Sequence, residues 1–123
     1  MPAPAPPPPP IPLPAGMQAI PTGGWRILLT ADADAVPPGF QPALAAIAQR
    51  LASTDGRVTV LAQAPAPSLE PSFARRQSLQ RGLSVKNALV AAGLPATRID
   101  IRPLGRQPGG TDVIDILPPG APR

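Results

Sequence analysis

The chain has 123 residues, 22 of them proline, with 2% aromatics and no cysteine, histidine or tyrosine. Disulfides and thiolate metal sites are thereby excluded, and so is the imidazole that most often serves as general base or metal ligand. The net charge of +4 is modest, and the pI of about 11.4 overstates it because little titrates between the carboxylates and the Lys/Arg groups. Such a balance fits mild attraction to anionic surfaces and argues against a dedicated nucleic-acid binder.

The first segment, MPAPAPPPPPIPLPAG, is almost all Pro and Ala. Each proline fixes φ and removes an N–H donor, so the tract favours an extended polyproline II rod of about 3.1 Å per residue. We read residues 1–22 as a Pro-rich spacer or tail, or alternatively as a ligand for a proline-recognising envelope partner. Gly23-Gly24 marks the start of a domain over 23–118, with 119–123 a C-terminal tail. The longest apolar stretch, PALAAIAQRLA, is broken by Gln49 and Arg50 and is too short to span a bilayer. No signal peptide is visible, since no basic region precedes an apolar core.

Within the domain, WRILLTA (25–31) reads as a strand. After a loop with Pro37-Pro38, the residues Phe40, Leu44, Ile47, Ala48 and Leu51 form one helical apolar stripe ending near Thr54. RVTVLAQA (57–64) is a second strand. A second helix is expected from Ser72, as N-cap, to about Ala92, with Leu79, Gly82, Val85 and Leu89 facing inward and Gly93 as its stop. RIDIRPL (98–104) alternates cleanly, with Asp100 expected to pair with Arg98 and Arg102, and TDVIDIL (111–117) follows a Gly-rich turn. The order β-α-β-α-β-β, with a terminal hairpin, predicts a two-layer α/β sandwich in which two helices cover one face of a small mixed sheet.

Strand ends in α/β domains usually gather polar groups for a ligand, yet residues 61–67 read LAQAPAP, without a charge or hydroxyl until Ser68. The segment SLQRGLSVKNALVAAGLPATRIDIRPLG supplies a reason. It resembles the C-terminal domain shared by OmpA, peptidoglycan-associated lipoprotein and MotB, whose pattern is close to N-x-x-L-S-x-x-R-A-x-x-V-x-x-x-L-x-x-x-G-[IV]-x-x-x-[RK]-[IV]. Ser78, Arg81, Val85, Leu89, Gly93, Leu94, Arg98 and Ile99 fall in register, followed by Leu104-Gly105, and Gly82 replaces the alanine after the arginine. The resemblance covers residues 25–117.

In that family an aspartate after the second strand and the motif arginine together hold the zwitterionic end of diaminopimelate in peptidoglycan. An ammonium needs a carboxylate, and a carboxylate suits a guanidinium fork. Counting forward from Val60 puts the family's glycine, threonine and aspartate at Ala62, Ala64 and Pro65, and its asparagine and leucine at Ala74 and Gln77. The resemblance thus implies a non-catalytic cell-envelope domain of the periplasm, ancestrally peptidoglycan-binding, whose ligand site is degenerate because the acid is lost at Pro65. Arg81 and Ser78 remain from the pattern, and Glu70 is the nearby carboxylate that would substitute. The alternative is a protein-interaction or scaffold module on the same fold with no peptidoglycan ligand.

No cofactor or metal is expected: Asp32 and Asp34 lie two apart in a loop and offer too few oxygens. Arg75, Arg76 and Lys86 read as a solvated helix face. Trp25 reads as core or as a lid over the proline tail. With no His, no Cys, no paired acids and no Gly-rich phosphate loop, an enzyme is not expected.

Overall fold

The computed structural model describes residues 11–21, 23–30, 33, 35–64, 71–105 and 112–119. The strands are β1 (Met17–Ala19), β2 (Trp25–Leu28), β3 (Val58–Gln63), β4 (Ile99–Gly105) and β5 (Val113–Leu117). The helices are α1 (Gln41–Ala52) and α2 (Pro71–Ala91), with short 3₁₀ turns at Pro38–Phe40 and Ala96–Arg98. Both helices pack on a mixed five-stranded sheet of order β1-β2-β5-β3-β4, an α/β sandwich.

Each element follows from local chemistry. In α1 the apolar spacing buries Leu44, Ile47, Ala48 and Leu51 completely or nearly so. Pro71 opens α2 at a position where a missing N–H costs nothing, so Ser72 is not the N-cap but lies within the first turn. Gly93 closes α2 at φ +109°. The Leu94 N–H reaches the Leu89 carbonyl at 3.1 Å and the Gly93 N–H the Val90 carbonyl at 3.0 Å, which is the double bond of a Schellman stop. Along the sheet, Met17, Ile27, Ile114 and Ala62 stand in register and are buried on the helix side. On the other side Gln18, Arg26, Asp115, Leu61 and Arg102 form a row across all five strands.

Glycine at position 82 sets the distance between layers. A Cβ built there would lie 2.6 Å from Ile101 Cγ2 and 3.7 Å from Ala62 Cβ. The helix can therefore rest directly on β3 and β4 only without a side chain at this point.

Three further expectations from the sequence need correction. The last two strands do not form a hairpin. β5 lies between β2 and β3, antiparallel to both, whereas β4 is parallel to β3 and occupies the sheet edge. The physical reason is in their side chains. All five residues of β5 are buried, and its one charge, Asp115, is neutralised by Arg26. β4 carries exposed Arg102 and half-buried Pro103, and a proline suits an edge because it cannot donate to a ladder. Leu79 is not inward but 38% exposed, its place being taken by Ser78 and Arg81. Asp100 pairs with Arg57 at 2.7 Å. Arg98 instead donates to the carbonyls of Gly56 at 2.8 Å and Leu51 at 3.0 Å, binding β4's approach to the end of α1.

The sheet also begins earlier than the composition suggests. Residues 17–19, within the segment read as spacer, pair with β2, and Ile11 and Met17 join the buried core with Leu13 packed against it. Trp25 is half-buried against the same core.

Candidate functional site

Arg81 projects from the inward face of α2, and its residue exposure is 0%. A buried guanidinium must have its N–H groups satisfied, and here the chain supplies the acceptors. Nε donates to the Ala33 carbonyl at 2.7 Å and Nη2 to the Thr30 carbonyl at 3.0 Å, both in the segment after β2. Nη1 donates to the Gln63 carbonyl at the end of β3, at 2.8 Å, and to Asp112 Oδ1 just ahead of β5, at 3.0 Å. One side chain thus ties together the carboxyl end of β3, the exit of β2 and the entry to β5. The nearby segment is further fixed by the Val36 N–H, which donates to Ser84 Oγ of α2 at 2.9 Å.

Asp112, whose side chain is 28% exposed, is a carboxylate that the sequence does not single out. It escapes notice because a terminal hairpin would carry it away from β3. Only the insertion of β5 between β2 and β3 brings it to Arg81. Its signal in sequence is the acid standing directly before the apolar run VIDIL.

Ser78 is fully buried one turn before Arg81, and its Oγ donates to the Arg75 carbonyl at 2.8 Å. Its hydroxyl therefore serves the helix backbone. Glu70, Pro65, Asp32 and Asp34 lie outside the described residues. Arg81 and Ser78 are thus neighbours on one helix face, and the guanidinium reaches the strand ends.

A second ion pair lies on the opposite face of the sheet. Arg26 Nε and Nη2 donate to the two oxygens of Asp115 at 2.7 and 3.0 Å, a two-pronged pairing across β2 and β5. The hydrogen bond and the field of the carboxylate raise the Arg26 pKa above the ordinary guanidinium range, with desolvation opposing them. Among the described residues no three His, Cys, Asp or Glu side chains gather to hold a metal ion. No helix among them is long and apolar enough to cross a membrane.

Comparison with known proteins proceeds through the fold, because no family model and no curated protein matches the sequence. Among solved structures, the chain is similar to the peptidoglycan-associated lipoprotein from Burkholderia pseudomallei. The TM-score is 0.68 at 16% identity, covering 75% of this chain and 87% of that one. It is also similar to the OmpA-like domain of FopA1 from Francisella tularensis, with a TM-score of 0.63 at 16% identity over 75% of this chain and 70% of that one. For the periplasmic domain of Helicobacter pylori MotB the TM-score is 0.60 at 13% identity, over 82% and 83%. Identities this low establish architecture, and the architecture is consistent across the three: the chain has the fold of a divergent OmpA-like C-terminal domain.

Proposed function

We propose that this chain is a non-catalytic domain of the bacterial cell envelope, located in the periplasm, whose ancestral task is contact with peptidoglycan and whose ligand clamp is degenerate. The observation that carries the reading is the position of Arg81. Its guanidinium stands 2.8 Å from the carbonyl of Gln63 at the exit of β3, in a fold shared with a peptidoglycan-associated lipoprotein. That is where the family pattern would place an arginine facing an aspartate. Two features support degeneracy. The family's aspartate position is occupied by Pro65, which has no acid to offer an ammonium. Arg81 is buried and already donates to three carbonyls and Asp112, so a ligand carboxylate would have to displace a partner. The proline tract, on this reading, is a spacer that joins the domain to a partner or anchor upstream.

The test is sedimentation with purified sacculi, with the B. pseudomallei lipoprotein domain as the positive control. The expected outcome is measurable capture about tenfold or more weaker than the control, equivalent to at least 1.4 kcal/mol. Capture equal to the control would overturn the degenerate site. No capture would remove peptidoglycan from the proposal and leave the scaffold module, to be sought through partners of the proline tract.

A further inference from the structure

α2 spends one side on the core and leaves a second pattern on the other. Along its outer side Ser72, Arg76, Leu79, Leu83, Lys86 and Val90 follow one another at steps of four, three, four, three and four residues. That alternation draws a single stripe down the helix, at the spacing by which one helix receives another. Leu79 and Val90 are each 38% exposed, and Leu83 and Lys86 are half-buried. The core therefore does not consume the stripe. Beside its first half lies a depression of about 340 Å³ lined by Ser72, Arg75, Arg76, Leu79 and Pro103. Leu79 and Pro103 give it apolar walls, and the two arginines stand at the same opening.

The charge on this helix decides what fits. Between Pro71 and Ala91 the chain has Arg75, Arg76, Arg81 and Lys86 and no acidic residue. Arg81 is turned inward to Asp112, and the other described ion pairs join Arg26 to Asp115 and Arg57 to Asp100, away from α2. The outer side of α2 thus presents Arg75, Arg76 and Lys86 among its apolar residues. A second copy of the chain suits it badly. Pairing α2 with α2 in either direction sets cations against cations, and like charges across a contact cost affinity. A bilayer suits it badly too, because a flat surface cannot enter the depression beside Leu79. Spacing and charge are both satisfied by a helix that repeats apolar residues at the same interval and flanks them with carboxylates.

We propose that the outer face of α2 is a docking surface for an acidic amphipathic helix of a partner protein. The apolar seam of that helix lies along Leu79, Leu83 and Val90, and one of its side chains enters the depression beside Leu79. Its carboxylates meet Arg75, Arg76 and Lys86. Lys86 stands in the stripe itself, so an acid opposite it fixes the register of the pair. The face is opposite the side of α2 that carries Arg81, and the proposal does not depend on peptidoglycan contact.

The probe is a synthetic peptide as long as α2, with Leu at the two seam positions of each heptad and Glu at the flanking ones. It is titrated into the full chain and followed by backbone amide chemical shifts. The expected result is saturable shifts at Leu79, Leu83, Lys86 and Val90 with a Kd on the order of 10–100 μM. A twin peptide with Lys in place of Glu should bind about tenfold more weakly or worse. The double variant Arg75→Glu, Lys86→Glu should reverse that order, so that the Lys twin becomes the tighter ligand. A damaged fold would weaken both peptides and cannot produce the exchange. Absence of shifts at about 1 mM peptide, equal binding of the two peptides, or no reversal in the double variant would each overturn the proposal. Shifts at these residues with phosphatidylglycerol vesicles but not with the peptide would assign the face to lipid instead. Self-association in sedimentation equilibrium that the double variant abolishes would assign it to a second copy. Either result would also overturn the proposal. None of these measurements contains sacculi, so their failure and that of the peptidoglycan reading are separate results.

Discussion

Two arginines in this domain meet carboxylates in opposite ways. Arg81 is enclosed between a helix and three strand ends, and it shares its donors among three carbonyls and Asp112. Arg26 lies half-exposed on the sheet and spends two donors on Asp115 alone. Water can replace the partner of the second but not of the first. A buried cation left unpaired keeps its desolvation cost, whereas the half-exposed guanidinium of Arg26 keeps its access to solvent. The lesson is that Arg81 is an organising group of the fold as well as a motif residue, and Arg26 is a surface group available for other work.

The strongest way to break this comparison is Arg81→Ala. We expect a loss of about 3–5 kcal/mol in denaturant unfolding, a large part of the roughly 5–15 kcal/mol typical of such a domain. Asp112→Asn should cost less, about 1–3 kcal/mol, because the three carbonyls still receive Arg81. If the two variants were equally damaging, the carboxylate and not the carbonyl cage would be what holds the guanidinium.

Next in size is removal of residues 1–19. This deletes β1 and the buried Ile11 and Met17, each worth about 1.5–3 kcal/mol as a core side chain, so a loss of about 3 kcal/mol or more is expected by urea unfolding. A neutral deletion would show that the segment is a dispensable spacer after all. Gly82→Val follows, at about 1–3 kcal/mol. The new side chain meets Ile101 Cγ2, which lies only 2.6 Å from the Cβ position itself, and β4 must shift away from α2. Unchanged stability would mean the two layers are not in contact there.

These sizes bear on what could be read from residues alone. Apart from β1, the helices and strands were legible in order, because Leu44, Ile47 and Leu51 repeat at helical spacing, Ile99 and Ile101 at strand spacing, and Gly93 marks a stop. Strand adjacency was not. Alternation tells which face of β5 is apolar but not which strands flank it, and neighbours in sequence are a natural first choice for pairing. Asp112 became visible as Arg81's partner only once β5 was placed beside β3. The tail misled through composition. Prolines dominate it, yet Ile11, Leu13 and Met17 are spaced among them and reach the core. Leu79 was misplaced because an apolar residue was preferred inward over a serine and an arginine, and the buried carbonyl cage around Arg81 reverses that preference.

The smallest effects concern Arg26. Arg26→Gln should cost about 1–2 kcal/mol, because the buried carboxylate of Asp115 loses its charged partner, and the difference should shrink somewhat at high salt. Its pH behaviour is equally specific. The folded pKa is raised above the ordinary guanidinium range, first by the hydrogen bond to Asp115 and then by its charge, against a smaller desolvation effect. A cationic group with a raised pKa contributes stability that is fully present below its unfolded pKa and is lost only as pH climbs through the folded one. Between pH 7 and about 11, both values lie above the range, so the wild-type and Arg26→Gln unfolding curves should keep a constant separation. A separation that closes across that interval would mean that Arg26 loses its proton, or Asp115 its hold, well before the geometry allows, and the two groups would then be no pair at all in solution.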